Sequence, residues 1–329
     1  MKSIRWGILS TAKIAREHII PAIAASDSGE VVAIASRQSG RAQQTAQSFN
    51  IPRFYGSYDT LLEDSEVDAV FNPLPNHLHV PWSLKAIQAG KHVLCEKPIA
   101  MNATEAQTFQ KAAQAQPKLK VMEAFMYRFH PQWQQTKAWV VDGRIGRLCA
   151  IQSFFSYFND DPANIRNKPD SGGGGLMDIG CYCISLSRFI YGEEPKRVVG
   201  TMDVDFNLKT DRLTAGLLEF TKGPSSFICS TQCEPYQRVH LIGTQGRIEI
   251  EIPFNAPNDR PCRIWLQQNR KIESIEIPAT NQYQNEVEAF AQAILTDSEV
   301  PTPLSDAVAN MKVIDALLLS ARTNAWVEC

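Results

Sequence analysis

The sequence has no Cys-x-x-Cys pair, no internal repeat and no low-complexity linker. It also has no apolar run near the ~20 residues that a membrane helix needs. Its eight cysteines, at 95, 149, 181, 183, 229, 233, 262 and 329, match no zinc-type spacing and have no histidine partner. They read as reduced, small, core-filling side chains, and no metal site is expected. A net charge of only −2 removes any strong electrostatic pull toward nucleic acid or anionic membranes. The chain opens without a basic stretch leading into an apolar one, so a cytoplasmic location is expected.

What remains is an ordinary globular composition, 44% hydrophobic over 329 residues, enough for two domains. From residue 1 to 124 strand and helix patterns alternate: "IRWGILS", "AREHIIPAIAAS", "EVVAIAS", "GRAQQTAQSF", "VDAVFNPL", "VPWSLKAIQAG", "KHVLCEKP". Continuous apolar strands joined by helices predict a doubly wound parallel sheet, a Rossmann domain. From 125 to 303 strand candidates follow one another after a single clear helix around "GLMDIGCYCISLSRFIYG". That run predicts an α+β domain with a large, mostly antiparallel open sheet, whose "GRIEIEIP" alternation leaves one side facing solvent. The class is therefore α/β with a second α+β domain. The helix expected over 304–323 is assigned to pack back on the first domain.

The stretch "GILSTAKIA", residues 7–15, looks like a strand turning into a helix at a phosphate-binding loop. The glycines of G-x-G-x-x-G are missing: the slots fall at Ser10, Ala12 and Ala15. Small residues at these places still allow a tight turn, and a helix amino terminus still offers N–H groups to a phosphate. A strand-to-helix turn with Ser10 as a plain N-cap explains the stretch equally well.

The end of the second strand favours a ligand. An NAD-binding chain normally has an acid there for the ribose hydroxyls. "AIASRQSGRAQQTA" has none, and carries Ser36, Arg37 and Arg41 instead. A guanidinium beside a hydroxyl suits a 2′-phosphate, which points to NADP(H). "NPLPNHLHVPW" and "CEKPIA" end two further strands, where such folds bind their ligands.

Taken in order, "NPLPNHLH", "AGKHVLCEKPIA", "EAFMYRFHP", "SGGGGLMDIGCYCI" and "DAVANMKVIDALLLSAR" resemble the Gfo/Idh/MocA oxidoreductases, nearest to the branch of NADP-dependent xylose and dihydrodiol dehydrogenases. That branch also carries small residues in the phosphate turn. The resemblance implies an NADP(H)-dependent oxidation or reduction of a sugar or related polyol. It implies that Lys97 sits by the reacting carbon and Glu96 near the nicotinamide ribose, with a cis bond before Pro98. Ser10, Thr11, Ala12 and Ile14 of the turn, Ser36, Arg37 and Arg41, then Pro73, Leu74, Asn76 and His79, and finally Arg166, would bind the cofactor. Asp178 and Tyr182 would be catalytic, and Tyr182 stands where the family commonly has histidine. A phenol is a weaker acid than imidazolium, titrating near ~10 rather than ~6.5, so the Lys97 cation would have to help it act as a base. Tyr127, Arg128 and Tyr283 are expected to bind substrate. Homodimers or homotetramers through the second sheet are expected as well. Reduction of a dihydrodiol or keto substrate, and a nucleotide sensor without catalysis, stay open as alternatives.

Overall fold

The computed structural model describes residues 3–329. It divides into two compact units, one built from the residues up to Met126 together with Tyr283–Val308, the other from Tyr127–Gln282 with Ala309–Cys329.

The first unit holds six strands, β1 (Ile4–Leu9), β2 (Gly29–Ala35), β3 (Arg53–Tyr55), β4 (Ala69–Asn72), β5 (His92–Glu96) and β6 (Val121–Ala124). All pair in parallel, in the order β3-β2-β1-β4-β5-β6. Trp6, Ile8, Phe71 and Leu94 are fully buried, as strands covered on both faces require. The helix expected from "AREHIIPAIAAS" begins as a π-turn, Ala15–Ile19, before the α-helical Ile20–Ala24. Pro21 supplies no N–H to the turn before it, and a wider turn accommodates that.

The division of the tail differs from the sequence expectation. The helix Gln282–Leu295 goes with the parallel sheet from Tyr283 onward: Phe290 meets Trp6 at 5.7 Å between ring centroids, and Gln284 donates to the Ala25 carbonyl. The helix Leu304–Thr323, expected to pack on the first domain, belongs from Ala309 onward to the second unit. There Asn310 donates to the Cys181 carbonyl and the Ser320 hydroxyl accepts from Gly200 N–H. Which sheet an apolar helix covers is decided by such distant partners, which periodicity does not reveal.

The second unit's sheet has nine strands: β7 (Leu148–Phe158), β8 (Arg197–Val204), β9 (Asp211–Glu219), β10 (Pro224–Ser230), β11 (Gln232–Gly243), β12 (Gly246–Ile250), β13 (Cys262–Gln268), β14 (Lys271–Ile277) and β15 (Val327–Glu328). Their order is β14-β13-β12-β11-β7-β10-β9-β8-β15. Every pair is antiparallel except β7 with β10. The buried helix Cys181–Tyr191 packs against β7, where Tyr182 meets Phe155. Leu217, Ile228, Tyr236 and Ile242 keep partial exposure. The strand-rich reading passes over a helix at Pro131–Val141, whose N-cap is His130, accepting from Gln132 N–H. Histidine is not a residue that marks a helix start.

Candidate active site

In the first unit the turn after β1 answers the question its missing glycines raise. Ser10 has φ = +122°, a left-handed backbone that glycine adopts without strain and serine does not. The first slot is thus a glycine position filled by serine. Thr11, Ala12 and Ile14 follow it half-buried. The first helical bond runs from Arg16 N–H to the Ala12 carbonyl. Earlier N–H groups of the turn precede that ladder.

Ser36, at the end of β2, is buried, and its hydroxyl oxygen accepts from Gln38 N–H. Arg37 and Arg41 are exposed, and neither has an acidic partner among the described residues.

The loops after β4 and β5 are stitched together by His79. Its imidazole is buried, with Nδ1 2.8 Å from the Pro98 carbonyl and Nε2 2.6 Å from the Leu74 carbonyl. Burial pushes this ring down to about 4, outweighing the two carbonyls that favour the charged form. The neutral ring has one N–H and donates to one of these two carbonyls, so His79 fills the space between the Pro73, Leu74 and Asn76 loop and the Glu96-Lys97-Pro98 loop, with no ring nitrogen facing outward. Asn72 supports the same loop, donating to the His79 carbonyl and to Ser83. Pro98 follows a cis peptide bond. Glu96 and Lys97 are half-buried, and Lys97 N–H donates to the Glu96 carboxylate at 3.3 Å.

Tyr283 lies with these groups in the first unit, stacked on His18 at 4.6 Å between centroids. Burial pushes its phenol well up, and the charge of Glu96 adds to that. Glu286, one turn on, is fully buried and its carboxyl is pushed well up by burial and by Glu96. Sequence reading missed this group.

In the second unit Asp178 sits in a π-turn, Leu176–Gly180, and Tyr182 in the α-helix that continues it. π-Turns inside helices occur frequently at functional sites. Tyr157 O–H donates to one Asp178 carboxylate oxygen at 2.5 Å and Arg166 Nε to the other at 3.1 Å. Burial and the Asp178 charge push the Tyr157 phenol far above its usual range. Arg166, read from sequence as a cofactor ligand, thus also forms an ion pair with Asp178.

The Tyr182 ring is walled by Tyr127 at 5.8 Å, Phe155 at 5.8 Å and Phe254 at 5.4 Å between centroids. Tyr127 is fully buried and shares a 2.8 Å hydrogen bond with the Ser185 hydroxyl, to which Arg128 also donates. These two residues, expected on the substrate, brace the helix that carries Tyr182. The amino end of that helix is held by Asp211 of β9, which accepts from Leu176 N–H at 2.7 Å and from the Thr214 hydroxyl at 2.8 Å. A Cβ on Gly174, whose φ is +123°, would collide with this carboxylate, so the glycine run serves that approach. Burial raises Asp211 to about 6 against these bonds.

Sequence reasoning missed Tyr157, Phe155, Phe254 and Asp211. Tyr157 and Phe155 alternate on "SFFSYF" and so share one face of β7, which was the one available signal.

All eight cysteines are free. Among the described residues no group of three His, Cys, Asp or Glu is arranged for a metal, and no helix is long and apolar enough to cross a membrane.

One unit with a six-strand parallel sheet and a strand-to-helix turn after β1, and a second with an open sheet carrying an Asp–Tyr helix, are the parts of a two-unit dinucleotide-binding oxidoreductase. Residues 4–125 match the model described as "Oxidoreductase family, NAD-binding Rossmann fold", and residues 133–249 match the GFO/IDH/MocA C-terminal domain. The chain belongs to the Gfo/Idh/MocA oxidoreductase family. It is 40% identical to an uncharacterised oxidoreductase of Rhizobium meliloti over 99% of both chains. It is 39% identical to the D-xylose 1-dehydrogenase (NADP(+)) 2 of Haloferax volcanii, over 98% of this chain and 99% of that one. Among solved structures, the 3-ketoreductase KijD10 of Actinomadura kijaniata, in a tyrosine-to-phenylalanine variant with TDP-benzene and NADP, superposes with a TM-score of 0.92 at 28% identity, covering 97% of this chain and 98% of that one.

Proposed function

We propose that this protein is an NADP(H)-dependent dehydrogenase or reductase of CH–OH groups, acting on a sugar or related polyol. When bound, the nicotinamide supplies or accepts the hydride. Tyr182 gives or takes the hydroxyl proton, and Lys97 stabilises its phenolate. Asp178, held by Tyr157 and Arg166, fixes the polar surroundings of that phenol. The turn residues Ser10, Thr11, Ala12 and Ile14, the arginines Arg37 and Arg41, and the loop Pro73, Leu74 and Asn76 hold the cofactor. Glu96 meets its ribose.

The observation that carries this reading is the acid-free, arginine-bearing end of β2 following a turn whose first position has a glycine backbone. Such a set of donors suits an adenosine 2′-phosphate and lacks the carboxylate that would accept from two ribose hydroxyls. The NADP-dependent xylose dehydrogenase relative supports both cofactor and substrate class. We assign the protein to the cytoplasm, in keeping with eight free thiols, and propose a homodimer or homotetramer formed through the partly exposed apolar face of the second sheet.

A dihydrodiol is the second reading. It is favoured by the aromatic wall of Phe155 and Phe254 around Tyr182, and by 32% identity to a mouse trans-1,2-dihydrobenzene-1,2-diol dehydrogenase over 76% of this chain. Fluorescence titration with NADPH and NADH, then NADP⁺ reduction across pyranoses and dihydrodiols, tests both. Tight NADPH binding with pyranose turnover is expected. Turnover confined to diols would select the second reading, and binding of neither nucleotide would remove both.

A further inference from the structure

We infer that Arg16 is a cofactor-specificity residue that closes, opposite Arg41, on a phosphate monoester dianion, the adenosine 2′-phosphate. The inference rests on the NADP(H) reading and adds to it a residue from a different helix.

A cavity of about 460 Å³ opens between the helix that follows the phosphate turn and the helix Ser39–Phe49; Thr11, Arg16, Arg41, Gln44 and Phe49 help to line it. No carboxylate lines it. Two guanidinium groups sharing one acid-free cavity repel each other, and a dianion between them removes that cost. The adjacent acid in sequence, Glu17, is engaged elsewhere, 3.7 Å from Lys13.

Arg16 is also held in place. Its Nε donates to the Thr11 carbonyl at 3.1 Å, which ties the fork to the turn containing the strained Ser10 and leaves both Nη groups as donors. The hydroxyls of Thr45 and Ser48 do not compete for the ligand. Each donates to its own helix, at the Arg41 and Gln44 carbonyls, and so offers only lone pairs to the cavity. The donors left for an anion are the two guanidiniums, the Thr11 hydroxyl and the Gln44 amide. A planar fork suits a phosphate, and the neutral 2′-hydroxyl of NADH gives it nothing to neutralise.

The test is calorimetric titration of the full chain with NADPH, NADH, 2′,5′-ADP and 5′-AMP, for the wild type and for Arg16→Ala, Arg16→Lys and Arg37→Ala. Arg16→Ala should weaken NADPH and 2′,5′-ADP by about tenfold, the scale of a lost charge-assisted bond. NADH and 5′-AMP should hardly change, and Arg16→Lys should recover part of the loss. Equal weakening of all four ligands, or of none, overturns the role of Arg16. If that happens while Arg37→Ala still lowers the preference for NADPH, the cofactor reading survives alone. A wild type that binds NADPH no better than NADH overturns both.

Discussion

Tyr157 donates a 2.5 Å hydrogen bond to Asp178 on the oxygen that Arg166 Nε does not use. The carboxylate therefore has a charged donor on one side and a buried phenol on the other. On our reading Asp178 keeps its charge and orientation through the reaction, and Tyr182 exchanges the proton. Tyr157→Phe should then lower kcat by about tenfold, with stability reduced by about 1–2 kcal/mol for the lost bond. Steady-state rates and urea unfolding on the same preparation check this. A kcat equal to wild type would show that Tyr157 is only structural.

Ser10 stores backbone strain at its φ of +122°. Such a conformation costs a non-glycine residue about 1–3 kcal/mol. Ser10→Gly should relieve it and raise the midpoint of thermal unfolding by a few degrees, since about 1 kcal/mol shifts Tm by roughly 2–4 °C in a protein somewhat smaller than this one. Differential scanning calorimetry without cofactor measures the shift. A lower Tm would mean that the serine side chain contributes more than its backbone costs.

His79 and Asp211 shift in opposite senses, and the signs give separable pH effects. The folded value of His79 is depressed to about 4, so the unfolded chain binds the extra proton first, and stability is lost as pH falls from near 6.5 toward 4. Asp211 is raised to about 6, so the folded state holds its proton longer, and its contribution is lost as pH rises from near 4 through 6. Each effect amounts to at most about 3 kcal/mol. Urea midpoints between pH 4 and pH 7.5 should therefore fall less at the acid end for His79→Gln than for wild type. For Asp211→Asn they should fall less as pH rises. Parallel curves for all three proteins would refute both assignments.

His79→Gln should also cost about 1–2 kcal/mol at pH 7.5, because the neutral ring's one N–H bond to the Leu74 or Pro98 carbonyl and the buried packing of the ring between them are lost. An unchanged urea midpoint at that pH would contradict the stitching role.

Much of the first unit was legible because strands buried on both faces are written as continuous apolar runs, as "VVAIA" and "AVFN" are. The phosphate turn was harder. Its glycine backbone persists at Ser10 without the glycine, so the letter pattern alone could not decide between ligand site and plain turn. The loops at 73–79 and 96–98 were legible as the carboxyl ends of two parallel strands, where β4 and β5 do end. That His79 faces inward was not, since the carbonyls it meets belong to Leu74 and to Pro98, 19 residues on. Asp211 escaped for the same reason, reaching its helix from 35 residues away. The tail was misallotted because helical period says that a helix has an apolar face, not that Phe290 will find Trp6.

On our reading Tyr182 carries the proton in an NADP(H)-dependent oxidation. The most direct measurement is the initial rate of NADPH formation at 340 nm from NADP⁺ and D-xylose, for wild type and Tyr182→Phe, with NADPH affinity measured alongside. Turnover in the wild type is expected, with a loss of about 10²–10⁴-fold in the variant and nearly equal NADPH dissociation constants. A Tyr182→Phe protein that reduces NADP⁺ at the wild-type rate would contradict it.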